Sequence, residues 1–275
     1  MKKRILFTGS TGFIGRHLLN LLLEQDVEII LIIRKDKESL VPKSGKIIKV
    51  IKTENLFKES ESWWDEICKE IDIVIHLAWY VKHGEYLNSD VNFECTLGTL
   101  NLAKSCVKNR IKRFIGFGTC FEYDLDHKIL SINTPLNPKT FYSSAKVSTF
   151  YSLSYLFSMN KISFIWCRLF YLYGEGENDN RLVPYVRRKI LNNEIVNINN
   201  GSLIRDYIEV NVAALQIFNK VFSDDEGSFN ICSGKGVTIK DFVINIADEY
   251  KRRDLLIFND TSHVSIEPTC IIGIP

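Results

Sequence analysis

The chain has 275 residues, of which 45% are hydrophobic, so it is long enough to bury one or two substantial cores. Its formal net charge is only +2, which argues against a strong electrostatic field for nucleic acid or a membrane surface. We find no run of about 18 apolar residues and no signal-peptide pattern, and we therefore expect a cytoplasmic protein. The seven cysteines never form a Cys-x-x-Cys pair, so no metal site is predicted.

Apolar runs of strand length alternate with helical patterns through the first two thirds of the chain. The predicted strands are residues 4–7, 28–33, 47–51, 72–78, 113–117 and 163–170. The predicted helices are residues 16–24, 63–70, 91–108 and 143–159. Continuous Ile, Val and Leu in the strands indicate a parallel sheet buried on both faces. The pattern predicts an α/β fold: a Rossmann-type doubly wound sheet over residues 1–173 and a smaller α+β substrate lobe over 174–275, with strand crossovers back to the sheet.

Three glycines spaced three residues apart join the first predicted strand to the first predicted helix. Gly9 permits a tight turn, Gly12 lets backbone approach a diphosphate, and Gly15 lets the helix pack closely on the strand. The helix N-terminus then offers free N–H groups to phosphate. We predict a dinucleotide site here, and an ordinary βα turn is the alternative. Its predicted contacts are Gly9, Thr11, Gly12, Phe13, Ile14 and Gly15.

Arg34 lies 19 residues after Gly15, at the end of the second predicted strand. An acidic residue there would accept a hydrogen bond from the adenosine ribose, whereas a guanidinium favours a 2′-phosphate. The sequence therefore favours NADP (NADPH) over NAD, with a surface basic pair, Arg34 and Lys35, as the alternative.

The fourth predicted strand ends in His76, Leu77, Ala78 and Trp79. Leu77, Ala78 and Trp79 are predicted to line the cofactor pocket, where the small Ala78 lets backbone lie close to a ribose. Trp79 is a cleft wall or a core residue, and His76 is expected to be a core histidine with satisfied hydrogen bonds.

Tyr142 and Lys146 are four residues apart and share one face of a predicted helix. We expect the lysine charge to lower the pKa of the phenol towards neutrality, so that Tyr142 serves as an acid or base. Thr119 follows the fifth predicted strand and could polarise a substrate carbonyl. Thr119, Tyr142 and Lys146 are the predicted catalytic residues, with Tyr142 and Lys146 also contacting the cofactor. Alternatively, Tyr142 only opens a helix and Lys146 lies on its surface.

With these motifs, the chain resembles the extended short-chain dehydrogenase/reductases of the nucleotide-sugar epimerase/dehydratase kind over nearly its whole length. The matching positions are residues 8–15, 75–78, Asn92, Thr119 four before Tyr123, Tyr142 with Lys146, 168–174, 205–207, 229–231 and Gly234. The resemblance implies that Lys146 also holds the nicotinamide ribose and that Arg205 clamps the substrate diphosphate. It also implies a homodimer formed through helices 91–108 and 143–159.

The substrate pocket departs from the family pattern. Family 4,6-dehydratases carry Asp-Glu after the catalytic threonine, but Cys120 and Phe121 stand there, and Glu122 is offset by one position. Tyr171 occupies a position where many relatives carry asparagine. From its placement, the loop of residues 80–89, with Lys82, His83 and Tyr86, is expected to shape the sugar pocket. The predicted substrate contacts are Lys82, His83, Cys120, Phe121, Tyr171 and Arg205.

The resemblance and its departures favour one activity. We expect NADPH-dependent reduction of the 4-keto group of a nucleotide-diphosphate 4-keto-6-deoxy sugar, in the biosynthesis of surface-polysaccharide sugars. A nucleotide-sugar C4 epimerase that uses bound NAD shares nearly every residue and remains the alternative. A non-catalytic NADP-sensing regulator or a structural scaffold would leave Tyr142 and Lys146 unexplained.

Overall fold

The computed structural model describes residues 2–259 and 268–275 of the chain. In this part of the chain the strands are β1 (Lys3–Thr8), β2 (Val27–Arg34), β3 (Ile47–Thr53), β4 (Ile73–His76), β5 (Arg113–Thr119), β6 (Ile129–Leu130), β7 (Ser163–Leu169), β8 (Tyr171–Tyr173), β9 (Val196–Asn199), β10 (Ile204–Arg205), β11 (Tyr207–Glu209), β12 (Gly227–Ile231), β13 (Val237–Thr238), β14 (Leu256–Asn259) and β15 (Cys270–Gly273). The α-helices are α1 (Phe13–Leu23), α2 (Glu61–Ile67), α3 (Val91–Lys108), α4 (Phe141–Met159), α5 (Leu182–Leu191), α6 (Val210–Val221) and α7 (Ile239–Glu249).

A seven-stranded parallel sheet forms the centre of the molecule, in the order β12-β7-β5-β4-β1-β2-β3. The chain therefore starts in the middle of the sheet, winds outward to β3, and returns past β1 to build the other half. This order is that of a doubly wound Rossmann-type fold, as the sequence predicts. Thr8 of β1 is in register with His76 of β4, which is in register with Gly116 of β5. The carboxyl ends of these three strands thus share one edge of the sheet.

Both faces of the central sheet are covered by apolar packing. On one face, Leu18 and Leu22 of α1 are fully buried and meet Ala213 and Ile217 of α6. On the other face, α3 and α4 cover the sheet around Phe114, which is also fully buried. Burying each such side chain contributes about 1.5–3 kcal/mol. The pattern explains why these strands are continuously apolar rather than alternating.

Several element boundaries differ from the sequence predictions by a few residues. Helix α4 begins at Phe141 rather than 143, because Thr140 caps it by accepting a hydrogen bond from the Ser143 amide. Strand β4 ends at His76 rather than 78, and the last predicted strand, 163–170, is β7, which ends at Leu169 and is followed by the short strand β8 that was not predicted. The cysteines behave mostly as small apolar residues, since six of the seven are buried and Cys270 is partly exposed.

The region after residue 173 contributes to both parts of the molecule. Its own small core lies between α5, α7 and the β9–β14 pair. Strand β12, however, pairs with β7 at the edge of the central sheet, and α6 packs on α1. These are the crossovers that the sequence predicts, while the division at residues 173 and 174 stays a prediction. None of the helices in the described part of the chain has the length and apolar character that a membrane crossing requires.

Candidate active site

The glycine turn connects β1 to α1 with a backbone that only glycine adopts readily. Gly9 has a φ of +79°, and a Cβ there would lie 2.7 Å from the backbone nitrogen of Ala78. A Cβ on Gly15 would lie 2.0 Å from the carbonyl oxygen of Gly9. Gly15 therefore lets α1 pack against the turn itself, a refinement of the predicted contact with the strand. The Gly12 amide closes the turn by donating to Gly9 O at 3.0 Å.

Helix α1 begins directly after this turn with an uncapped N-terminus. Its N-cap, Gly12, has no side chain to accept a hydrogen bond from the first turn. The amides of Phe13 and Ile14 therefore lack intrahelical acceptors, and the positive end of the helix dipole is open to an anion. Residues 11–14 are partly or fully exposed beside the turn. This arrangement fits the diphosphate of a dinucleotide.

Arg34 ends β2 on the same edge of the sheet, and its side chain is exposed. The sequence analysis missed a partner: Asp36 Oδ1 lies 3.5 Å from the Arg34 Nε, and the Asp36 carboxylate also pairs with Lys37. Both side chains are about two thirds exposed, so this ion pair is weak. A basic and an acidic group thus stand together where the adenosine ribose is expected.

His76 is a core residue, as predicted. It is 4% exposed, and its ring nitrogens are hydrogen-bonded to the hydroxyls of Thr8 and Thr99, each at 2.9 Å. Burial, reinforced by the charge of Lys146, lowers the pKa of His76 to about 3. The imidazole therefore stays neutral and fixes the end of β4, where Leu77 and Ala78 donate backbone amides to Thr8.

Thr119 is the last residue of β5 and is held by a capping box. Its amide donates to Glu122 Oε1 at 2.9 Å, and its hydroxyl oxygen accepts from the Phe121 amide at 3.3 Å. Because that oxygen acts as an acceptor, the Thr119 O–H is left to donate elsewhere. The threonine thus presents a donor at the carboxyl edge of the sheet.

Tyr142 and Lys146 lie on one face of α4 and are both buried, with exposed fractions of 8% and 4%. The structure therefore excludes the surface position for Lys146. The Lys146 Nζ donates to Phe117 O of β5 at 2.7 Å and lies 3.6 Å from the centroid of the Trp79 ring. It lies 6.0 Å from the centroid of the Tyr142 ring. Because Thr119 also hydrogen-bonds the Tyr142 phenol, the three predicted catalytic residues lie together at the end of β5.

The pKa of Tyr142 moves opposite to the sequence prediction. Burial raises the pKa of the phenol, and the nearby Tyr86, Glu122 and Cys120 add to that rise, while a hydrogen bond from Thr119 opposes it. The predicted lowering of the Tyr142 pKa is wrong for this structure, because desolvation of the phenol is the largest influence and raises the pKa. Burial lowers the pKa of Lys146 itself to about 7. Tyr142 is therefore a neutral phenol, and Lys146 titrates near neutrality.

The side chains that follow Thr119 turn into the interior. Cys120 is 2% exposed, and burial raises the pKa of its thiol to about 12. Glu122 is fully buried, accepts from Arg168 Nε at 2.7 Å, and also accepts from the Trp166 indole at 3.1 Å. Glu122 is consequently a structural ion-pair partner and not a free acid.

Two further residues are functional candidates: Tyr86, on the loop that the sequence analysis expects to shape the sugar pocket, and Arg181, which the sequence analysis missed. The Tyr86 ring meets the Tyr142 ring edge-to-face at 4.9 Å. Burial raises the pKa of Tyr86, and Arg181 opposes the rise through its charge and a hydrogen bond to the phenol. Arg181 stands immediately before α5, so it joins the second region of the chain to this loop. Neither position belongs to a short motif that the sequence could have signalled.

The predicted substrate contacts fall into three environments. Lys82 and His83 lie exposed on the loop before α3, where Lys82 pairs with Glu85 at 2.7 Å. Phe121 and Tyr171 contact each other edge-to-face at 6.1 Å. The Arg205 guanidinium lies 5.5 Å from the centroid of the Tyr171 ring.

Arg205 is only 2% exposed, and its side chain donates to the carbonyls of Ile204 and Pro268, each at 2.9 Å. Its neighbour Asp206 is fully buried and accepts from the amides of Ser233, Gly234 and Gly273. Asp206 is therefore a structural clamp between strands, while the diphosphate role of Arg205 stays a prediction. Among residues 2–259 and 268–275, no group of three or more His, Cys, Asp or Glu side chains is placed to hold a metal ion.

Comparison with known proteins agrees with this fold. The chain is 24% identical over 266 residues to a dTDP-6-deoxy-L-talose 4-dehydrogenase (NAD(+)) of Aggregatibacter actinomycetemcomitans, covering 90% of each chain. It is 26% identical over 281 residues to a dTDP-4-dehydro-6-deoxyglucose reductase of Escherichia coli, covering 96% of this chain and 87% of the relative.

Two solved structures share the fold at low identity. A UDP-N-acetylglucosamine 4-epimerase from Methanobrevibacter ruminantium superposes with a TM-score of 0.85 at 23% identity, covering 99% of this chain and 89% of that one. A UDP-glucose 4-epimerase from Thermus thermophilus, crystallised with NAD, gives 0.83 at 20% identity, covering 99% and 90%. The model of the NAD dependent epimerase/dehydratase family matches residues 5–232. The chain belongs to the NAD dependent epimerase/dehydratase family and is an enzyme of the extended short-chain dehydrogenase/reductase type.

Proposed function

We propose that this enzyme reduces the 4-keto group of a nucleotide-diphosphate 4-keto-6-deoxy sugar with NADPH. The observation that carries the proposal is the convergence of Thr119, Tyr142 and Lys146 at the carboxyl edge of the sheet, with no free acid among the three residues that follow Thr119. Two relatives named for a 4-dehydrogenase and a 4-dehydro-sugar reductase, both of 6-deoxy sugars, support this choice.

Each of the three residues has a chemical role that its environment permits. When bound, a reduced nicotinamide supplies the hydrogen and electron pair that the keto carbon gains. Tyr142, whose burial favours the neutral phenol, donates a proton to the keto oxygen as it becomes a hydroxyl. The O–H of Thr119, which hydrogen-bonds the Tyr142 phenol in the structure, is close enough to that phenol to turn to the keto oxygen as negative charge develops there. Lys146 places a positive charge behind Tyr142 when protonated, which favours transfer of the phenolic proton.

The residues after Thr119 argue against dehydration as the reaction. Loss of water from the sugar needs an acid that protonates the leaving hydroxyl. The Cys120 thiol is a poor acid because burial raises its pKa to about 12. The Glu122 carboxylate is held in the interior by Arg168 and the Trp166 indole. Reduction needs neither group, so the site is suited to the simpler reaction.

For the cofactor, we propose a preference for NADPH that depends on Arg34. An exposed guanidinium at the end of β2 can pair with a 2′-phosphate. The ion pair between Arg34 and Asp36 is weak, because its Nε–Oδ1 distance is 3.5 Å and both side chains are largely exposed. A dianionic phosphate can therefore displace Asp36.

A C4 epimerase that retains NAD is the second candidate. The observation that favours it is Asp36, an acidic group close to the expected ribose position that could accept from a 2′-hydroxyl. Epimerisation would require Tyr142 to act in turn as base and acid, against the raised pKa of its phenol. We therefore place it second.

The deciding experiment mixes the enzyme with a panel of nucleotide-diphosphate 4-keto-6-deoxy sugars and either NADPH or NADH. The absorbance of the reduced nicotinamide is monitored, and the sugar product is analysed. Stoichiometric consumption of the reduced nicotinamide with formation of a 4-hydroxy sugar supports the reductase, whereas isomerisation of a 4-hydroxy sugar without net consumption supports the epimerase.

A substitution tests the mechanism itself: Tyr142→Phe should abolish turnover while still binding the cofactor. Tyr86→Phe, which keeps the ring that contacts Tyr142, is the matched control and should retain much more activity. Full activity of Tyr142→Phe would contradict the mechanism.

We also infer that the enzyme is a homodimer that associates through the outer faces of α3 and α4. Large apolar side chains are exposed there, including Phe93 at 59%, Tyr155 at 73% and Met159 at 81%. Sedimentation of wild type and a Tyr155→Glu variant tests this: the variant should dissociate, and a monomeric wild type would contradict the inference.

A further inference from the structure

The indole of Trp79 lies between Lys146 and Asn92, in contact with both. Its ring centroid is 3.6 Å from the Lys146 Nζ, close to the shortest separation that a cation can have from an aromatic face. Its Nε1–H donates to Asn92 Oδ1 at 2.9 Å. Phe57 packs against the indole edge-to-face at 6.2 Å. The ring is therefore fixed in orientation as well as in position.

Lys146 needs such a favourable contact because few other groups around it stabilise its ammonium group. It is 4% exposed and donates to Phe117 O, and within the described residues it forms no ion pair. The titratable groups that face it are His76, Cys95, Glu122 and Tyr142. His76 stays neutral, while the charge of Glu122, whose carboxylate is hydrogen-bonded to Arg168, raises the pKa of Lys146. The Trp166 ring lies farther from the Nζ, at 5.8 Å, than the Trp79 ring does. The π face of Trp79 is thus a major favourable contact for the charge.

We propose that Trp79 is a positioning residue that holds the Lys146 ammonium in place behind Tyr142 by a cation–π contact. This proposal rests on the proposed function, because that function gives Lys146 its role beside the Tyr142 phenol. Asn92 fixes the plane of the indole, so that the ring face, and not its edge, meets the ammonium.

Asn92 also joins this contact to the loop over the site. Its Nδ2 donates to the carbonyls of Tyr86 at 2.7 Å and Ser89 at 2.9 Å. Tyr86 in turn packs on Tyr142. One fully buried asparagine therefore anchors both the indole that holds Lys146 and the loop that covers Tyr142. We consequently expect a substitution of Trp79 to change the pKa of Lys146 more readily than it disrupts the fold.

The test measures the protonation of Lys146 directly, in protein without cofactor or sugar. The ¹³Cε resonances of labelled lysines are followed against pH, and Lys146 is identified by its loss in Lys146→Met. Trp79→Leu removes the π face but keeps an apolar side chain, so the Lys146 midpoint should fall by roughly half to one and a half pH units. Trp79→Phe keeps a ring and loses only the indole N–H, so it should stay close to wild type. Trp63→Leu, at a partly buried tryptophan on α2 that packs on Trp64, is the matched control and should leave the midpoint unchanged.

An unchanged midpoint in Trp79→Leu, or equal shifts in Trp79→Leu and Trp79→Phe, would overturn the proposal. Should Trp79→Leu fail to fold, fluorescence provides the second measurement. The difference in emission between wild type and Trp79→Phe should titrate with the Lys146 midpoint and become independent of pH when Lys146→Met is introduced into both. A flat difference in the wild-type background would refute the contact. Because neither measurement involves turnover, their outcome is separate from that of the sugar panel.

Discussion

Replacing Lys146 by methionine should remove a specific dependence of stability on pH. Burial lowers the pKa of this lysine from 10.5 to about 7, so the folded protein binds its proton less readily than the unfolded chain does. Below about pH 7 the group is protonated in both states, and the full cost of burying the charge is present. As the pH rises from about 7 towards 10.5, the Lys146 side chain is already neutral in the folded protein, whereas it is still protonated in the unfolded chain. The wild type should therefore gain stability relative to Lys146→Met across this window.

The size of the effect follows from the two pKa values. Each unit of difference corresponds to about 1.4 kcal/mol, so the burial of the charge costs about 4 kcal/mol at pH 7 and about 1 kcal/mol at pH 9.5. The expected gain of wild type over the variant is thus about 3 kcal/mol between these two pH values. The hydrogen bond to Phe117 O and the Trp79 contact stabilise the charged form, so this figure is an upper bound.

The assay is equilibrium unfolding in urea, followed by far-UV circular dichroism at a series of pH values. Lys139→Met is the matched control, since this lysine is exposed in the folded protein and its removal deletes a charge without unburying one. The difference between Lys139→Met and wild type should be nearly constant with pH. A constant difference for Lys146→Met as well would refute the argument that Lys146 is buried at the expense of its charge.

Further substitutions test three other parts of the molecule. Arg34→Asp should shift the cofactor preference towards NADH, and Asp36→Asn should shift it towards NADPH. Each change should alter the ratio of the two kcat/KM values by about tenfold if the side chain faces the 2′ position; unchanged ratios would show that neither side chain does. Gly15→Ala should weaken dinucleotide binding by about tenfold or more in a calorimetric titration, because its Cβ would lie 2.0 Å from the Gly9 carbonyl oxygen; normal affinity would mean that the turn yields easily. Arg168→Met should lower the free energy of unfolding by about 3–5 kcal/mol because it leaves Glu122 buried without its partner, and adding Glu122→Gln should recover part of the loss; a double variant less stable than Arg168→Met would argue against a coupled pair.

Most of the central fold could be predicted because its signals are local. Each parallel strand is a short apolar run, and the strands up to β7 are separated by recognisable helices or turns. The boundaries were harder, as at α4, where the Thr140 cap starts the helix two residues before the predicted position. The return of β12 to the edge of the sheet was expected only as an unspecified crossover. Its partner, β7, is distant in sequence, and no local pattern names it.

The candidate site could be predicted as a set of residues but not as an electrostatic environment. Thr119, Tyr142 and Lys146 were chosen by spacing and strand ends, and the structure brings them together. The direction of the Tyr142 pKa could not be deduced, because it depends on how deeply the phenol is buried. The contact between Trp79 and Lys146 joins two residues far apart in sequence and follows from the packing of α4 on the sheet.

The contacts of Glu122 explain why a site of this family would disfavour loss of water from the sugar and still suit reduction of a carbonyl. Its carboxylate accepts the Thr119 amide on one oxygen and the Arg168 guanidinium on the other. Arg168 also donates to the Tyr123 hydroxyl at 3.2 Å, and that hydroxyl donates to Asn230 of β12 at 2.7 Å. The acid nearest to Thr119 is therefore used to fix the backbone of Thr119 and to tie β5 to β7 and β12. Because such a buried network tolerates no missing partner, the same carboxylate is not available to protonate a leaving hydroxyl. In the proposed reaction, the threonine hydroxyl hydrogen-bonds the keto oxygen, and the proton transfer is left to Tyr142.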